Sequence, residues 1–422
     1  MNTVSPYSIL RDKRLWMVIG VPVGALAFLF AVLYVGANVD PGDHLHKLPI
    51  GLVNADEGTI AGGKQVNLGA DITSSIQASA AGNDKFEWKL MTSDELHDQL
   101  GQGKLYGALV VPRDFSASAI ALTSSVPTAY PVRPQLQVLT NASAGSMGSS
   151  IARTATTAAA EIASRNLGDQ LSRTAGSTAL PDASQVTLAD PILVKVADGH
   201  PLPANSGLGL TAFYYALALV VCGMLAANVI NGQVDHALGY AHTDLGPVRS
   251  HRPRIDATRV QALAINTVTM GAMSVLIGTL VLAGAVAVMG MDASHLPLLW
   301  LFSVCTIAAT GAGALALLAV FGTPGMLAAA VVFVAMAVPT AGATTPLQAL
   351  PDVYRFLAEF EPLRQVNGAI RAILYYDAQG DAGLTRGWSM LAAGLSAALV
   401  FGFGTTALYD RNGLDRVPPP SA

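Results

Sequence analysis

A chain of 422 residues that is 52% hydrophobic and only 12% charged departs from soluble domains, in which about 25% of residues are charged. Its formal charge of −4 gives no basis for a nucleic-acid partner. Both cysteines, Cys222 and Cys305, fall inside apolar runs, which leaves the polar part of the chain without a disulfide.

Residues 1–14 end in RDKR and lead into Leu15–Tyr34, an uncharged run long enough to cross a ~30 Å hydrocarbon core. That run exceeds the 7–15 apolar residues of a signal-peptide core, which favours a retained helix over a cleaved leader. Arg11, Lys13 and Arg14 favour a cytoplasmic amino terminus. Residues 7–14 read as a short interfacial helix or a frayed tail.

From Leu48 the pattern becomes short apolar runs between turn residues. LPIGLVN (48–54), FEWKLM (86–91), LYGALVV (105–111) and QLQVLT (135–140) predict strands, with a further one within 185–198. Helices are predicted over 93–103 and after Pro112, so the region reads as α/β. Residues 141–176 predict a long helix with Ile151, Ala155, Ala158 and Ile162 on its apolar face.

Five more uncharged segments follow: Leu208–Ile230, Ala262–Met289, Leu296–Phe321, Met326–Ala343 and Trp388–Leu408. The expected fold is therefore an α-helical multi-pass membrane bundle of six transmembrane helices. A large extracytoplasmic α/β domain separates the first helix from the second. The boundaries are 1–37 for tail and first helix, 38–206 for the α/β domain, and 207–422 for the five-helix membrane domain. Arg249, Arg252, Arg254, Arg259, Arg411 and Arg416 place the 231–261 loop and both termini in the cytoplasm of a plasma membrane. Arg355, Arg364, Arg371 and Arg386 contradict that rule, because the count of spans puts 344–387 outside.

Three stretches of the membrane half stand out. Residues 231–245 can form a rigid contact for a cytoplasmic partner. Val234, Leu238 and Ala241 form its apolar edge, and Asp235, His236 and Asp244 offer polar contacts. Within 344–387, Pro351 and Pro362 divide an amphipathic pattern into two short helices, an elbow on the outer surface that also contains Pro346 and Arg371. Gly394, Ala398 and Gly402 form a small-residue stripe for helix packing, within or between subunits. Asn228, Asn266, Thr267 and Thr269 line a path or bond between helices.

Catalytic patterns are weak. Gly58, Gly63 and Lys64 imitate a phosphate-binding loop, but Gln65 stands where the motif needs Ser or Thr for Mg²⁺, so a glycine-rich turn is the better account. His44, His46, His97 and His200 lack metal-ligand spacing. Asn141-Ala-Ser143 fits a glycosylation sequon of low specificity. Neither an enzyme nor a cofactor is expected.

LPIGLVNADEG (48–58), LGQGKLYGALVVPRDFSASAIAL (100–122) and QLQVLTNAS (135–143) resemble the YhgE/Pip group of bacterial membrane proteins. TTPLQALPDVYRFLAEFEPLRQVNGAIRAI (344–373) resembles the proline-rich elbow of type-2 ABC exporter permeases. The chain departs from the long members of the group, which carry a coiled-coil insert where only the 143–172 helix stands. The resemblance implies a dimeric permease subunit, homo- or heterodimeric, coupled to a separate ATP-binding subunit in an exporter. The alternative reading is a non-transporting surface scaffold or receptor, such as a secretion-system accessory component.

Overall fold

The computed structural model describes residues 13–123, 132–175, 187–245, 248–250 and 252–414. Residues 7–12 of the expected interfacial helix, Arg416 and the start of the 185–198 stretch lie outside that set, as does the side chain of Asp244.

Residues 48–198 build a five-stranded mixed sheet in the order β4-β1-β5-β6-β7, with a separate hairpin of β2 and β3. The strands are β1 (Leu48–Asn54), β2 (Thr59–Ala61), β3 (Lys64–Val66), β4 (Phe86–Leu90), β5 (Gly107–Val111), β6 (Gln135–Thr140) and β7 (Leu193–Asp198). Four of the predicted strands match closely, and the last is confined to 193–198. β1 runs parallel to both β4 and β5, and β5 meets β6 antiparallel. The interior strand β1 is covered on both faces, which is why LPIGLV reads as a continuous apolar run and not as an alternation.

Helices cover both faces of this sheet. α2 (Leu68–Ala80) and α5 (Ser146–Ala175) pack with Leu52, Leu109, Val111, Leu136 and Val138. On the other face, α3 (Ser93–Gly101) packs Leu96 and Leu100 against Val53 and Ala108. A capping box between Thr92 and Glu95 starts α3 one residue before the expected Ser93 cap. A short helix, α4 (Phe115–Ala121), follows Pro112 as expected.

The buried face of α5 matches the expected one only at its start, where Ile151 and Ala155 are half-buried beside Leu48 and Ile50, while Ala158 is exposed. Ala152, Thr156, Ala160, Ala163, Leu167 and Leu171 are buried, whereas Ile162 is 52% exposed. The helix turns its smaller residues inward because it lies close to the sheet: a Cβ on Gly107 would sit 3.3 Å from that of Ala152.

The rest of the described chain is mostly helical: α1 (Lys13–Gly36), α6 (Thr211–Ala237), α7 (Arg259–Val288), α8 (Leu296–Phe321), α9 (Pro324–Thr340), α10 (Asp352–Phe360), α11 (Pro362–Tyr375) and α12 (Leu384–Arg411). Four of these, α6, α7, α8 and α12, are long and apolar enough to cross a membrane, and Gly20–Gly36 and Pro324–Thr340 are shorter apolar helices. A π-helical turn ends α7 at Gly284–Val288, and another interrupts α9 at Val331–Ala335.

The apolar helices run between two common ends. At the sheet-bearing end, Asn205 Nδ2 donates to Gly290 O (3.0 Å), and Tyr354 OH donates to Val32 O (2.8 Å). At the opposite end, Asp410 accepts from the backbone N–H of Arg259 (3.0 Å) and Val260 (3.1 Å). The carboxyl end of α12 therefore caps the amino end of α7.

Candidate functional site

The features resembling a nucleotide site prove structural. Gly62 and Gly63 both have positive φ (57° and 76°) and close the tight turn between β2 and β3. Asp56, in the turn after β1, is buried and accepts from Gly58 N, Gly69 N, Ser116 N and Ser116 Oγ. It ties the amino ends of α2 and α4 to β1. The sequon is structural as well: Asn141 is fully buried and its Nδ2 donates to Leu100 O (3.0 Å) and Leu105 O (2.9 Å). His44 and His46 are exposed in the linker.

The 231–245 stretch is helical only to Ala237. Gly239 N donates to His236 O (3.0 Å) and Tyr240 N to Asp235 O (2.8 Å), and Gly239 has φ 75°, which together make a Schellman stop. A hairpin follows, β8 (Thr243–Leu245) against β9 (Val248–Ser250). Ala241 therefore lies beyond the helix, and Val234 and Leu238 are buried in the chain's own core. The apolar edge read as a partner surface faces inward. His236 is also buried, its ring Nδ1 3.2 Å from Ala241 O. Arg254 pairs with Asp256 (3.1 Å) and stacks on Tyr240, and Arg259 stacks on Tyr409. These two arginines are held by protein groups.

Beside this stop lies a polar cavity of about 560 Å³, lined by Asn228, Asn231, Asp235, Arg259, Asn266 and Thr406 among others. Asn231 links it together, donating to Asp235 Oδ2 (3.4 Å) and accepting from Asn266 Nδ2 (3.2 Å). Thr267 and Thr269 do not join it, since their hydroxyls bond carbonyls of their own helix. Asn266 Oδ1 is buried without a donor.

At the sheet-bearing end the elbow forms as two helices. Pro351 and Pro362 stand at the starts of α10 and α11, and Pro346 begins a short 3₁₀ turn. The arginines of 344–387 are engaged by protein. Arg355 pairs with Asp352, Arg364 with Glu359 (3.1 Å), and Arg386 with Glu359 (2.6 Å) and Gln365 Oε1 (2.9 Å). Arg371 donates to Ser143 O of the sheet region. The hydrogen bond from Arg386, then that from Arg364, holds the Glu359 carboxyl below its ordinary range. Glu361 caps α11 through Arg364 N (3.1 Å) and is buried, which pushes its carboxyl up to about 8. Burial likewise pushes the Tyr106 phenol up to about 12, with Arg371 acting in the opposite direction. Tyr106 OH donates to Gln348 Oε1 (3.2 Å), a second tie between sheet and elbow.

Arg364, Arg371 and Arg386 converge with Asn367 and Tyr106 on a pocket of about 180 Å³. Sequence reasoning singled out Arg371 but not this convergence. The available signal was the cluster of arginines in a loop where the charge rule expects none.

The small-residue stripe on α12 divides. A Cβ on Gly402 would meet Ala316 and Leu263 at 2.9 and 3.1 Å, whereas one on Gly394 meets nothing within 4 Å. Gly394 and Ala398 line an apolar groove of about 490 Å³. Among the described residues no group of three or more His, Cys, Asp or Glu is placed to hold a metal.

Residues 19–394 match a family described as "Protein of unknown function (DUF3533)". Over 158 residues the chain is 28% identical to "Uncharacterized protein YhgE" of Bacillus subtilis (strain 168), an alignment covering 36% of this chain and 19% of that protein. The chain thus spans about a fifth of the length of that curated relative. No solved structure matches. Since the family match takes in the sheet, the elbow and most of the apolar helices, the chain is YhgE-like and belongs to the DUF3533 family.

Proposed function

We propose that this membrane protein is the permease subunit of an ATP-driven exporter, working as a dimer with a separate cytoplasmic ATPase. In this reading the two shorter apolar helices join the four long ones to make six spans of a plasma membrane. Both termini and residues 231–258 are cytoplasmic, and residues 38–206 lie outside. Binding and movement, without covalent chemistry, are the chain's task.

The observation that carries the reading is the polar cavity around Asn231 and Asn266 inside an otherwise apolar bundle. Polar groups among apolar spans are costly and mark pathways. The cavity lies at the end where an ATPase docks in this reading, next to the stop at Gly239. The contact then falls to the β8–β9 hairpin and the exposed Asp256 side, because Val234 and Leu238 are covered.

The test is purification of the tagged full-length chain from its own membrane in mild detergent. An ATP-hydrolysing subunit is expected to co-purify, with hydrolysis that falls when Asn266→Leu fills the cavity with an apolar side chain. Purification of an active chain with no ATPase, from cells whose export is unaffected by its deletion, would leave the surface-scaffold reading. The ties between sheet and elbow through Tyr106 and Arg371 suit that reading too, since a displayed domain needs a rigid base.

A further inference from the structure

We infer that the elbow and α12 together form a binding site for one anionic phospholipid, its phosphate at the arginine pocket and an acyl chain in the adjoining groove. The two cavities meet at Gln365, which lines both. On one side are Arg364, Arg371 and Arg386, faced by the single carboxylate of Glu359. Three guanidinium groups against one carboxylate leave the pocket net positive, and guanidinium is the side-chain group best matched to phosphate oxygens. Asn367 lines the same pocket, is 1% exposed, and donates to Ala341 O (3.2 Å), while its Oδ1 accepts no hydrogen bond. A headgroup hydroxyl supplies the donor that Oδ1 lacks.

The groove is the opposite in character. Phe333, Phe360, Val366, Met390, Leu391 and Phe401 are among its walls. From Gly387 to Phe401 it follows α12 for about 21 Å at 1.5 Å per residue. That exceeds the roughly 15 Å that one leaflet contributes to a ~30 Å core. Gly394 keeps it open, as the space its Cβ would take is empty. α10, whose Phe360 lines the groove, exposes Val353, Phe356 and Phe360, each about two-thirds accessible (68%, 66% and 66%), as a helix resting in lipid does. A charged head pocket continuous with a long apolar groove fits an acidic amphiphile. A second copy of α12 would fill the groove but leave the pocket's net positive charge unmatched and Asn367 Oδ1 without a donor.

The inference stands apart from the exporter reading, because lipid retention requires no ATPase. Full-length protein in a mild non-ionic detergent is titrated with phosphatidylglycerol, phosphatidylcholine or inorganic phosphate, read by native mass spectrometry and by thermal unfolding. One phosphatidylglycerol per chain and a raised Tm are expected, with little from phosphatidylcholine. Arg386→Gln and Arg371→Gln each weaken phosphatidylglycerol retention roughly tenfold, the value of one charge-assisted hydrogen bond. Gly394→Phe lowers occupancy by blocking the chain while the arginines stay in place. Equal retention of both lipids by the wild-type protein overturns the inference. So does a Tm gain from phosphate alone equal to that from the lipid, which marks a plain anion site. Dissociation of a dimer by Gly394→Phe with lipid retention intact overturns it as well, and assigns the groove to a second copy.

Discussion

Asp56 and Glu361 are both buried carboxyls, and they sit in opposite electrostatic situations. Asp56 is met by four donors, so removing it strands backbone N–H groups of Gly58, Gly69 and Ser116 in a buried turn. Each stranded donor costs about 1–3 kcal/mol, so Asp56→Ala is expected to destabilise the protein by about 3 kcal/mol or more. Thermal unfolding in detergent measures this, and a Tm equal to wild type removes Asp56 as the organiser of the turn. Glu361 is met only by backbone N–H groups at the start of α11, those of Arg364 and Leu363, and its Oε1 has no donor. Its carboxyl is raised from 4.5 to about 8, so the folded protein holds a proton there that the unfolded chain releases at lower pH. Its stabilising contribution is complete below pH 4.5 and is lost as pH rises through about 8. Glu361→Gln keeps the cap acceptor without the titration. The wild-type Tm is expected to fall relative to Glu361→Gln across that window, and parallel pH profiles refute the assignment. Neither residue was legible as buried in the sequence, since NADEG and EFEPL look like ordinary polar turns.

Elements were more legible than their faces. Apolar length and proline position gave the helices of the bundle and the elbow to within a few residues. Which side of a helix is covered depends on neighbours that lie far off in sequence. Val234 and Leu238 have the spacing of a docking edge, and the same spacing serves a core once Gly239 turns the chain back and Ile255 N bonds Leu238 O (3.0 Å). Gly394 and Gly402 share one stripe, yet only Gly402 meets another helix. The α2 helix and the β2–β3 hairpin escaped notice because their apolar residues are few and interrupted by Gly, Ser and Thr. Close packing between α6 and α8 gives an element-scale prediction. A Cβ on Gly223 would collide with Thr310 Oγ1 and approach Ile307 O at 2.9 Å, whereas Gly271 meets nothing within 4 Å. Gly223→Val is expected to destabilise the bundle by about 1–3 kcal/mol through overpacking, with Gly271→Val near neutral apart from a small propensity change. Equal Tm values for the two variants in the same detergent contradict that packing.

For the molecule as a whole, the orientation proposed above rests on arginines, and the structure sharpens what it requires. Arginines of the elbow are engaged by Glu359, Asp352 and Ser143, so their number in that segment reflects a built site and not a free loop. Asp410 caps α7, so the loop before Arg259 and the carboxyl end must share one side of the membrane. The sheet region, tied to the elbow through Tyr106 and Arg371, must lie on the other if the apolar helices cross. With Cys222 and Cys305 replaced by Ser, single cysteines at Asp98, exposed on α3, and Asp256, whose side chain is 89% accessible, report the two sides. An impermeant thiol reagent is expected to label Asp98→Cys in intact cells and Asp256→Cys only after permeabilisation. The reverse pattern inverts the orientation and puts the sheet in the cytoplasm. Labelling of both positions in intact cells is incompatible with helices that cross between the two ends. Leu414→Cys, 52% exposed beyond α12, must follow Asp256→Cys in either orientation, because the Asp410 cap holds the two together.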